Sequence, residues 1–220
     1  MRSAAALLLL GILLFTAAGC GTSRTATAAE LRLEREDLIA VSRALQSVAA
    51  PVAGEVAATK TAWPLVANGL ATDRAAKAAP AIATAAQRAA SIRVPALLQE
   101  SQAVSLTGPA ATVAGSFRSY AGLSTRGWEL MGASVEEILG GSPAAARFAR
   151  ENVNLYIESV YDGHFSLAQI GKQLSAGYRK LGGQAAFGES LTQADVDALA
   201  NTYSEATDRL HPHVGVKLGT

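Results

Sequence analysis

Apolar residues recur along this chain with the period of a helix. Leu38, Val41, Leu45 and Val48 stand at 3-4-3 spacing and share one stripe, while Glu34, Arg35, Glu36 and Arg43 cover the other side. This predicts a helix over residues 31–50, ended or kinked at Pro51, which has no amide to donate. Residues 52–92 are rich in alanine, whose small side chain lets helix backbones approach closely. Within them Trp63-Pro64 predicts a boundary, since the residue before proline avoids the α region, and Pro80 a second kink. Pro95 closes the segment.

Residues 96–106 predict a short helix, and Thr107-Gly108-Pro109 a fresh start with proline at the first helical position. Val113, Phe117, Tyr120, Ser124, Trp128 and Met131 then follow on one face. Ser134 with Glu137 resembles a capping box for a further short helix, ended at Gly140-Gly141. Ser142-Pro143 opens another helix as cap and first residue, carrying Phe148, Val153, Tyr156, Ile157 and Val160. Gly163 is expected to end it in a left-handed turn. Ser166 with Gln169 suggests a new start, and Leu167, Ile170, Leu174, Tyr178 and Leu181 form a stripe reaching Gly182-Gly183. A connection as short as 162–165 would make these two helices antiparallel. Thr192 with Asp195 caps a last helix through Val196, Leu199, Tyr203 and Leu210, stopped by Pro212.

No strand alternation and no repeat of fixed period stands out. Alanine, the best helix former, is about a fifth of the chain. The expectation is an all-α fold. It is a helical bundle, up-and-down in the C-terminal half, with Pro-kinked, Ala-rich helices in the N-terminal half.

The start of the chain has a different character. After Arg2, residues 4–18 form an apolar run of about 15, and Ala17-Ala18-Gly19 precede Cys20, the single cysteine. A helix needs roughly 20 apolar residues to cross a bilayer, so the run fits a secretory signal better than a span. This segment resembles a bacterial lipoprotein signal. The resemblance covers the first twenty-one residues. It implies cleavage before Cys20 and lipidation of that residue on sulfur, often with acylation of the new amino terminus. Two acyl chains suffice for stable anchoring. The family favours Leu three residues before the cysteine, where this chain has Ala17. The plainer alternative is an ordinary cleaved signal with an A-x-A-like site.

The resulting organisation is a signal over residues 1–19, the lipidated cysteine with a flexible tether over 20–29, and one helical domain over 30–220. The expected location is the extracytoplasmic face of a cell membrane or envelope. The tether, small and polar, spans roughly 17 Å as a coil. With Cys20 spent on lipid, the domain has no disulfide, cysteine nucleophile or thiolate metal site.

Nineteen Lys and Arg face eighteen Asp and Glu, and the signal holds Arg2, so the mature part is neutral. That excludes the electrostatic footprint of a nucleic-acid partner and a polybasic membrane patch. Ten of the twelve aromatic residues fall between Phe117 and Tyr203, which places any site in that half.

Two candidate sites arise. Asp162, His164, Asp208, His211 and His213 form a carboxylate–His set that could hold Zn²⁺ or Fe²⁺. The Asp208–His211 spacing matches how helical bundles build metal sites. Against it, these histidines also suit helix ends and loops, and the Glu-x-x-His di-iron pattern is missing. Arg118, Tyr120, Arg126 and Trp128 could line a ligand pocket, although Tyr120 and Trp128 also fit the core stripe. Glu151, Asn154, Glu158 and Asp162 read as a solvated face. No Gly-x-Ser-x-Gly elbow, Ser-x-x-Lys pair, P-loop or His-Glu-x-x-His occurs. The chain therefore reads as a non-enzymatic lipoprotein that binds a small apolar ligand or an envelope protein, without a cofactor. The alternative is a metal-binding or metal-dependent protein.

Overall fold

A computed structural model describes residues 26–99 and 106–204. Among them are six α-helices: α1 (Ala28–Val66), α2 (Thr72–Ala90), α3 (Gly108–Gly140), α4 (Pro143–Lys180), α5 (Gly183–Phe187) and α6 (Gln193–Ser204). A single 3-10 turn covers Ala96–Leu98, and no strand occurs among the described residues. The all-α expectation holds. Contacts divide the chain into Met1–Arg32 and Leu33–Thr220. In the first unit, Thr27 and Glu30 cap the start of α1 reciprocally: the Glu30 amide donates to Thr27 Oγ1 at 3.2 Å, and the Thr27 amide to the Glu30 carboxylate. Helix thus begins at Ala28, inside the stretch expected to be tether.

The remaining helices belong to the second unit. α3 and α4 are antiparallel across a two-residue connection. Pro109 lies against Gly177, Ser116 donates to Gln173 at 2.9 Å, and Ser124 and Gly127 lie against Gly163 and Val160. Position rises along α3 as it falls along α4. α2 and the 3-10 turn pack on α3, and α6 packs on α4. Trp63, Val66, Ile82, Trp128, Met131, Val153 and Ile157 interlock in one apolar cluster from α1, α2, α3 and α4. No described helix is long and apolar enough to cross a membrane.

Several expected breaks are absent. α1 runs through Pro51 and Pro64, and α2 through Pro80. An interior proline costs about 3 kcal/mol. Each buried large apolar side chain returns roughly 1.5–3 kcal/mol, and α1 buries Leu45, Val48, Val52, Val56, Trp63 and Val66. All three prolines are exposed, on the side of each helix away from its buried stripe. Ser134 starts no helix either; it is buried beside Met131, Val135 and Ile138 within α3. Of the short helix expected over 96–106, Ala96–Leu98 forms a 3-10 turn, and residues 100–105 lie outside those described. The last helix is described as far as Ser204, which leaves its expected end at Leu210 outside.

The largest correction concerns Gly163. No turn exists at 162–165, and the two antiparallel helices expected there are the single helix α4. Gly163 is a contact glycine: a Cβ at this position would come 3.0 Å from Ser124 N and 3.2 Å from Tyr120 O. Its missing side chain lets α4 lie close against α3, and the chain reverses instead at Gly141-Ser142.

The true ends match their sequence signals. Ser142 accepts from the Ala145 amide at 3.2 Å, with Pro143 at the first helical position. Gly182 and Gly183, at φ 107° and 56°, make the turn after α4. Thr192 and Asp195 form their capping box, with the Thr192 amide donating to Asp195 at 2.9 Å.

Candidate functional site

The second α1 stripe carries a carboxylate where an apolar residue belongs. Glu55 sits between Val52 and Thr59 on the inward face and is 0% exposed. Burying a lone carboxylate costs several kcal/mol unless donors replace its water. Five side chains do so. Tyr120 donates its phenol to Oε2 at 2.7 Å, and Ser124 and Thr59 donate to Oε1 at 2.8 Å. His164 Nε2 stands 3.2 Å from Oε1 and Trp128 Nε1 3.3 Å, the indole also reaching Thr59 Oγ1 at 3.1 Å.

Helix geometry brings these donors together. Tyr120, Ser124 and Trp128 are four apart on α3 and present one row toward α1. His164 comes from α4, held because Gly163 lets the helices approach. Its ring lies edge-on to Tyr120 with centroids 5.6 Å apart. His164 Nδ1 is buried without a partner among the described residues, so the contact to Glu55 is the ring's only hydrogen bond. Burial pushes the Glu55 carboxyl up. Attraction to the His164 imidazole and hydrogen bonds from His164, Tyr120 and Ser124 outweigh it and hold the carboxyl below its ordinary value. Burial and the Glu55 charge push the Tyr120 phenol well up. The cluster is a carboxylate kept charged inside a sealed core, which ties α1, α3 and α4 in one register.

The opposite side of α3 faces an open groove of about 450 Å³. Ile92, Val94 and Leu98, from the segment after α2, supply apolar walls, and Arg118, Thr125 and Arg126 line the α3 side. Leu98 is fully buried against the bundle and fixes the 3-10 turn that forms one wall. Arg126 pairs with Glu129 at 3.7 Å in an exposed contact.

The expected ligand-pocket residues therefore separate. Arg118 and Arg126 line the groove, whereas Tyr120 and Trp128 are fully buried and hydrogen-bond Glu55. The expected metal set is not gathered in the described residues. Asp162 is exposed and His164 fully buried, because two residues along a helix point to opposite sides. Asp208, His211 and His213 lie outside the described residues, as does Cys20. Among the described residues no group of three His, Cys, Asp or Glu side chains could hold a metal.

Sequence reasoning missed Glu55. The signal was present: a carboxylate in phase with Val48, Val52, Val56 and Ala62 on an apolar stripe. It also missed the groove walls, which come from a segment with no periodic pattern. No protein-family model, curated protein or solved structure matches this chain.

Proposed function

We propose that the chain is a lipid-anchored extracytoplasmic protein, non-enzymatic, whose helical bundle presents a groove for a small ligand with an apolar body. The groove beside α3 carries this reading. Its volume of about 450 Å³ falls within the range of small-molecule sites, and apolar walls with a few polar groups are their usual lining. The polar cluster around Glu55 supports the reading indirectly. It fixes the rotation of α3, and so holds Arg118 and Thr125 toward the groove while Tyr120 and Trp128 face inward.

The anchor rests on the signal-like segment ending at Cys20. Labelling cells with a radioactive fatty acid tests it: wild type should incorporate label and Cys20→Ser should not. Label in both, or in neither, would refute lipidation at that residue.

The groove is tested by photolabelling the full-length chain in nanodiscs with an alkyl diazirine. Label is expected in peptides spanning 92–99 and 118–129. A Cβ at Gly122 meets nothing within 4 Å, so Gly122→Trp should place its ring in the groove and remove that label. Label confined to other peptides would overturn the reading.

A further inference from the structure

We infer that the groove takes a single-chain anionic amphiphile, with the anionic group on Arg118. This rests on the groove being a ligand site and specifies the ligand's chemistry. Two cations line the α3 side, and they are not equivalent. Arg126 is exposed and pairs with Glu129 at 3.7 Å. Arg118, half-buried and about 12 Å back along the helix, forms no ion pair among the described residues. Among the described residues the groove therefore has one positive end without an ion-pair partner. A guanidinium partly withdrawn from water binds a carboxylate or phosphate through two parallel N–H donors, more strongly than it binds a neutral acceptor.

Beside that charge the walls are apolar: Ile92, Val94 and Leu98. A ligand with charge throughout would leave them unused, and a bare hydrocarbon would leave Arg118 unpaired. One alkyl chain with one terminal anion satisfies both. At about 30 Å³ per water-sized group, 450 Å³ holds roughly 15 non-hydrogen atoms, the size of a medium-length acyl chain with its headgroup. The anion is a carboxylate or a phosphate, from a free fatty acid or a single-chain lipid.

The test photolabels the full-length chain in nanodiscs with diazirine-bearing decanoate and, separately, diazirine-bearing decanol. Decanoate should label peptides spanning 92–99 and 118–129 about tenfold more efficiently than decanol. Arg118→Gln should remove that advantage and leave decanol labelling unchanged; Arg118→Lys should restore part of it, and Arg126→Gln should change it less than about threefold. Unlabelled decanoate competing better than decyl phosphate assigns a carboxylate, and the reverse assigns a lipid phosphate. Equal labelling by both probes, unaffected by Arg118→Gln, would overturn the anionic assignment and leave the groove standing. Failure of both probes to label the groove peptides would overturn the groove together with it.

Discussion

Glu55 on α1 and His164 on α4, 109 positions apart in sequence, meet at 3.2 Å with both side chains fully out of solvent. Tyr120, Ser124 and Trp128 surround them from α3. Such a network is costly when incomplete, because each donor left behind is a buried unpaired group.

Removing the carboxylate alone should therefore destabilise strongly. Glu55→Leu leaves Tyr120, Ser124 and His164 without an acceptor, and the expected loss is about 3–5 kcal/mol, typical of a broken buried pair. Urea unfolding followed by circular dichroism measures it. Adding His164→Leu to Glu55→Leu should cost less than the sum of the single changes. Strict additivity would show that the two side chains are not coupled.

The same carboxyl predicts an acid edge. Its pKa is held below the ordinary carboxylate value of 4.5, so its stabilising contribution is complete above that pH. That contribution is lost as pH falls below 4.5 toward the depressed folded value, where the native state must take up a proton. Stability measured from pH 7 downward should fall more steeply in wild type than in Glu55→Gln. Equal slopes would contradict the assignment.

An alkaline edge has the opposite sign. Burial raises the Tyr120 phenol, with Glu55 adding to it, and burial also raises Tyr203, which donates to Leu45 O at 2.7 Å. Both contribute while protonated in the fold and lose that contribution above pH 10, where free phenols ionise. Tyr203→Phe should lower stability at neutral pH by about 1 kcal/mol and flatten the loss above pH 10. Unfolding midpoints across that range check both.

Two glycines on the long helices should respond oppositely to alanine. In an unobstructed helix Gly→Ala gains about 1 kcal/mol. Gly132 is such a position, since a Cβ there meets nothing within 4 Å. At Gly163 the Cβ would meet backbone of α3 at 3.0 Å, and overpacking costs of about 1–3 kcal/mol outweigh the gain. Gly132→Ala should raise the melting temperature and Gly163→Ala should lower it.

The start of α3 depends on a residue far away. Asp37 accepts from the Thr107 amide at 2.9 Å and from its hydroxyl at 2.7 Å. Asp37→Ala should cost about 1 kcal/mol, the usual loss of a helix cap. Hydrogen exchange should quicken at the first turn of α3; unchanged exchange there would show the contact to be incidental.

Helix identity and several helix ends were legible in the sequence because they are local matters. The Ser142 cap, the Gly182-Gly183 turn and the Thr192–Asp195 box each depend on residues within a few positions. The stripes through Leu38–Val48 and Val113–Met131 identified buried faces correctly, since periodicity reports which side of a helix must leave water. Of the four residues expected together, Arg118 and Arg126 line the groove, while Tyr120 and Trp128 face inward.

Tertiary structure decided what prolines and glycines did. Pro51, Pro64 and Pro80 are helix breakers in isolation, yet each sits on an exposed face of a helix whose other face is buried. Gly163 has the same local signature whether it ends a helix or admits a neighbouring one; the nearness of Ser124 and Tyr120 backbone separates the cases. The chain by itself determined that it folds as packed helices and which faces the stripes Leu38–Val48 and Val113–Met131 bury. The partner of Glu55, and the groove that brings residues 92–98 beside Arg118, needed the fold, because no local pattern records which distant residues a helix will meet.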